Sequence, residues 1–183
     1  MPTQEEKQKI NKLARNFGAS LCQTGLKIIQ TTFRINPVEL DYEEFRDLFL
    51  NLSDGVRPVL LDGKYYLEKW STWQNIIEVD WTDTKKYVRE RFDCDNMSFS
   101  FCSRVSWLFG LNSKGAVYGA IYNRITKKLV GYHYWVCIVS NEPDGTRQLF
   151  YLEPQTDERV KYEKGKPIIM GNWLYEPINA RFY

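Results

Sequence analysis

The sequence predicts an α+β domain in which one long helix packs on an antiparallel sheet, with additional helices at its N-terminal end. Three observations carry this. Residues 93–109 place Cys94, Met97, Phe101, Val105 and Leu108 on one face at helical spacing, and Gly110 ends the run. Three β-rich segments follow, over 116–122, 130–140 and 149–152, the last two separated by the hairpin-type loop Asn141-Glu142-Pro143-Asp144-Gly145. A helix followed by antiparallel strands argues for an α+β layer and against a parallel α/β sheet.

Earlier elements read as follows. From Glu5 to about Gln30, Ile10, Leu13, Ala14, Phe17 and Leu21 recur at three- and four-residue steps and predict an amphipathic helix, weakened at Gly18 and Gly25. Asn36-Pro37 is a turn. A second helix starts after Asp41, an N-cap with Glu44 three residues on, buries Phe45, Leu48, Phe49 and Leu52, and stops at Ser53-Asp54-Gly55. Val59–Leu61 and Lys64–Leu67 flank Asp62-Gly63 and predict a tight hairpin, because a type I′ turn needs positive φ at both central residues. Between Trp70 and Tyr87, Ser71 and Thr82 are each suited to cap a short helix. The expected organisation is a helical extension over 1–55 and one domain over 56–183, forming a single compact unit.

Net charge is +2, from 25 basic and 23 acidic residues, and no basic stripe is visible, so a nucleic-acid partner is not expected. No segment approaches the ~20 apolar residues of a membrane helix. The N-terminus lacks the pattern of a secretory signal, so a cytoplasmic protein is expected. Four cysteines at irregular spacing do not make a disulfide framework, and with one histidine the usual zinc sets are not expected.

The chemistry-bearing residues fall in a definite order. Cys94 opens the long helix, where unpaired amides and the helix dipole favour a thiolate and can donate to an oxyanion. Asp93 and Asp95 flank it and oppose that effect if their carboxylates face the sulfur. On position alone, Cys94 reads equally as a buried cysteine beginning an apolar face. His133, the sole histidine, lies on a strand with Trp135 and Cys137 on its own face. Glu153 ends the next strand before Pro154 and is placed to orient the imidazole.

Phe92-Asp93-Cys94-Asp95-Asn96, His133 on a later strand, and Leu152-Glu153-Pro154-Gln155 together resemble the papain-like cysteine hydrolases. The resemblance is to the papain-like domain at the C-terminus of the Marasmius oreades mushroom agglutinin and to its bacterial and phage relatives. It implies a papain-like fold and a peptidase or amidase working through a thioester, with Cys94, His133 and Glu153 catalytic. Gln155 and Asp95 are then oxyanion or substrate contacts, and a peptide or protein is the substrate. It also implies calcium, with Asp93 and Asp95 taking part, although the sequence itself requires no cofactor. A phage origin would place the chain in a host cytoplasm or a virion. Asn96-Met97-Ser98 and Tyr132 depart from the pattern and leave open a catalytically inactive binding or virion-structural protein. A cell-wall peptide hydrolase is the remaining reading.

Overall fold

The computed structural model describes residues 33–80 and 82–183. The chain separates into two units, Met1–Ile35 and Asn36–Tyr183. The helix expected over Glu5–Gln30 lies outside the described residues.

In the second unit, β1 (Val38–Asp41) leads into α1 (Tyr42–Leu52). The capping box read from the sequence forms: Glu44 N–H donates to Asp41 Oδ1 at 2.9 Å, and Asp41 N–H donates to Glu44 Oε2 at 3.1 Å. Such a cap contributes about 1 kcal/mol. The apolar face of α1 buries Phe45 and Phe49, which meet Phe182 edge-on at 5.0 and 4.9 Å. Next come β2 (Arg57–Leu60), β3 (Lys64–Leu67) and α2 (Trp70–Val79), with Lys69 at the N-cap position of α2, where Ser71 was expected. The long helix α3 spans Cys94–Phe109, with Asp93 as N-cap and Gly110 in the left-handed region at φ 69°. The remainder is strand: β4 (Lys114–Asn123), β5 (Leu129–Asn141), β6 (Arg147–Glu153), β7 (Glu158–Tyr162), β8 (Ile168–Met170) and β9 (Trp173–Phe182).

The main sheet has seven strands in the order β2-β9-β4-β5-β6-β7, with β8 also on β9. Only β2 runs parallel to its neighbour, and β1 and β3 form a separate antiparallel pair. Val117, Trp135, Cys137, Val139, Leu149 and Tyr151 line one face, under Leu40, Phe45, Phe49 and Tyr65. The opposite face carries α3 against β4 and β5, and Trp70 at the start of α2 stacks on Phe150 at 3.5 Å.

Two expectations are corrected. The papain-like α+β layer gives way to a mainly β architecture, because β7, β8 and β9 continue the sheet past Glu153 and make β9 one of its central strands. The helix-on-sheet contact of α3 remains, but as one layer on an extensive mixed sheet. The hairpin at Asp62-Gly63 does not form either. β2 pairs with β9 and β3 with β1, while Gly63 is absent from the positive-φ glycines, so the type I′ turn never arises. No helix among the described residues is long and apolar enough to cross a membrane.

Candidate functional site

β5 extends beyond the paired stretch of β6, whose register with it runs from Val136↔Leu152 to Asn141↔Arg147. His133 therefore sits on an edge of β5 that β6 leaves open. Alternation turns its ring toward the face of Trp135, 6.2 Å away between ring centres, and Tyr175 lies 6.1 Å off on β9. Glu153, the last residue of β6, points to the same face. Its Oε2 lies 2.6 Å from His133 Nε2.

Glu153 is itself buried, and its carboxylate accepts two further hydrogen bonds. Tyr175 Oη donates to Oε2 at 3.2 Å, and the Gln155 backbone N–H donates to Oε1 at 3.4 Å. A buried carboxylate is tolerable only when satisfied in this way. Burial alone would push the His133 imidazole down. Hydrogen bonds to the Cys94 thiol and to Glu153, with the charges of both, outweigh it and raise His133 to about 9. The ring is thus cationic at neutral pH. Burial, then the charge and hydrogen bond of Glu153, drive the Tyr175 phenol far above its ordinary value.

Cys94 is half-buried at the first turn of α3 and is a free thiol. Cys94 lies near enough to His133 to help raise it, so a thiol, an imidazole and a carboxylate from α3, β5 and β6 meet here. With Nε2 engaged by Glu153, Nδ1 is the ring nitrogen left for the thiol. The loop before Cys94 is held locally: Glu90 adopts φ 62°, rare for a non-glycine residue, and its N–H donates to Asp93 Oδ2 at 3.1 Å. Asp93 and Asp95 hydrogen-bond to each other, which holds Asp93 below and Asp95 above the usual carboxylate range. The pair therefore retains a proton more readily than two separate carboxylates. No group of three or more His, Cys, Asp and Glu able to hold a metal occurs among the described residues. Two carboxyls bound to each other do not supply the six to eight oxygens of calcium.

The structure thus brings together Cys94, His133 and Glu153. The Gln155 side chain is exposed, and this residue serves the cluster through its backbone N–H. Asp95 is occupied with Asp93 and with the N–H of Asn96, at 2.8 Å. Sequence reasoning missed Tyr175 and Gly119. Tyr175 meets the Trp135 ring edge-on at 5.0 Å and ties β9 to Glu153. Gly119 pairs with His133 across the ladder, and a Cβ there would lie 2.6 Å from Trp135 Cη2 and 2.9 Å from Pro177 Cα. Trp73 and Trp135 are buried in the core, while Trp107 is exposed.

Neither a protein-family profile nor a curated protein matches the chain. Solved structures do. One, described as a PSL1a–E64 complex, shares 17% identity at a TM-score of 0.52, over 79% of this chain and 51% of that one. Another, Polyporus squamosus lectin bound to the human-type influenza-binding epitope Neu5Aca2-6Galb1-4GlcNAc, shares 20% identity at a TM-score of 0.41, over 58% of this chain and 41% of that one. The chain spans about half the length of the first and less of the second. The first likeness identifies the fold. The expected papain-like cysteine peptidase or amidase, its thioester hydrolysis and its thiol-protease designation are corrected here: the structure that shares this fold is not described as a peptidase. The physical reason is that a helix-start Cys, a mid-strand His and a strand-end Glu specify a polar cluster without by themselves specifying turnover.

Proposed function

We propose that the chain is a non-catalytic ligand-binding protein whose ligand meets Cys94 where the start of α3 faces His133. The observation that carries this reading is the buried pair of His133 Nε2 and Glu153 Oε2 at 2.6 Å, with the half-buried Cys94 thiol beside the ring. An imidazolium beside helix-start amides favours a ligand that presents a carboxylate or a polarised carbonyl oxygen. E64, the compound in complex with one neighbour, carries a carboxylate beside an epoxide and suits such a site. Among the described residues Cys94, Cys102 and Cys137 are free thiols, which supports a reducing compartment such as the cytoplasm.

The test is incubation of the full chain with E64, read by intact mass and peptide mapping. In the expected reaction the Cys94 sulfur forms a bond to an epoxide carbon, the C–O bond opens, and the alkoxide takes a proton from His133. One adduct on Cys94 is expected, absent in Cys94→Ser and slower in His133→Ala, with no turnover of peptide or ester panels. Absence of the adduct would overturn the site. Turnover that depends on Cys94 and His133 would overturn the non-catalytic reading.

A further inference from the structure

α3 spans sixteen residues, so its two ends lie about 24 Å apart. At the end remote from Cys94 a cavity opens, of about 510 Å³. Asp62, Gly63, Tyr66, Gly110 and Asn112 line it. We propose that this groove is a binding site for a neutral pyranose sugar.

Its polar groups are held in place before any ligand arrives. Asn112 Nδ2 donates to Asp62 Oδ2 and to the Lys64 carbonyl, each at 2.8 Å, while Asn112 Oδ1 accepts the Tyr66 N–H at 2.8 Å. The Asp62 carboxylate and the Asn112 amide are thereby locked side by side, and ordering them on binding costs little. Asp62 Oδ1 has no partner among the described residues and is open to a ligand hydroxyl. Tyr66 adds a half-exposed ring able to cover the apolar C–H face of a sugar. At Gly63 and Gly110 a Cβ would meet nothing within 4 Å, so the groove runs over bare backbone there.

Charge selects among ligand classes. Lys64, also at the groove, is spent on Glu39 Oε1 at 2.5 Å. Lys114 beneath it is fully buried and bonded to Ser106 Oγ and to Tyr183 O, the latter at 2.5 Å. The groove thus offers an accepting carboxylate, and the lysine that lines it already has a carboxylate partner in Glu39. Its polar rim excludes a purely apolar ligand. Vicinal hydroxyls over an aromatic ring match what remains, and the volume lies within the ~300–1,000 Å³ range of small-molecule sites.

The test is titration of the ¹⁵N-labelled full chain with D-glucose, D-galactose, D-mannose and N-acetylglucosamine to ~10 mM, a range that reveals millimolar affinity. At least one sugar is expected to shift the amides of residues 62–66 and 110–112. Asp62→Ala and Tyr66→Ala, checked for retained spectral dispersion, are each expected to weaken that sugar about tenfold or more. No shift with any sugar, shifts confined elsewhere, or binding undiminished in both variants would overturn the proposal. So would inorganic phosphate producing the same shifts.

Discussion

His133 Nε2 and Glu153 Oε2 lie 2.6 Å apart where β6 ends beside β5, with the carboxylate buried and Tyr175 Oη donating to the same oxygen. This relationship sets the protonation of the site. Because the chain has one histidine, it can be read directly. In an NMR titration His133 is expected to titrate near 9 in the wild type and lower in Glu153→Gln, which loses the charge and keeps the shape. A wild-type value at or below the ordinary 6.5 would contradict the pairing.

The same shift has a sign for stability. A histidine raised in the folded state stabilises the fold fully below its unfolded value of 6.5, and the contribution disappears as pH rises through about 9. That interval corresponds to ~3 kcal/mol at most. Urea unfolding of wild type and His133→Asn at pH 6 and pH 10 is expected to show a stability gap that narrows at the higher pH. A gap independent of pH would show that His133 contributes by packing alone.

Gly119 lets β4 pass beneath Trp135, since a Cβ would come within 2.6 Å of the Trp135 ring and 2.9 Å of Pro177 Cα. Backbone lies on one side and a fully buried ring on the other, so neither gives way readily. Gly119→Ala is expected to destabilise the protein by about 2–3 kcal/mol and to displace the His133 signal. Thermal melts and the histidine resonance check both parts.

Arg104 on α3 donates through Nη2 to Asp80 Oδ1 at 2.7 Å, with side-chain exposures of 19% and 6%. It also bonds to Thr82 Oγ1. Replacing it by Met leaves Asp80 a buried, unpaired carboxylate, at an expected cost of about 3 kcal/mol in urea denaturation. Asp80→Asn with Arg104→Met together is expected to recover part of that loss.

Where a local rule determines the outcome, sequence and structure agree. The Asp41–Glu44 capping box starts α1, and the left-handed Gly110 ends α3. The three site residues were legible because each stands at an element boundary or on a strand face that short-range pattern reveals. Non-local pairing was not legible. β2 and β3 flank Asp62-Gly63 like a hairpin, yet each finds a partner far along the chain. β9 was hidden by Pro177, which usually argues against a central strand; here it sits opposite Gly119, where the β4–β9 register shifts. With β9 unseen, Tyr175 could not be placed beside Glu153, although the aromatic alternation of Trp173 and Tyr175 offered a clue.

The central relationship of the site is that between the Cys94 thiol and the His133 ring. The most direct measurement is the rate of iodoacetamide labelling of Cys94 at pH 6.5 in wild type and His133→Ala, resolved by peptide mapping because Cys102 and Cys137 are also free thiols. Labelling that falls at least about tenfold in the variant is predicted, since a base beside the sulfur takes up its proton as it is alkylated. Equal rates in the two proteins would contradict the account.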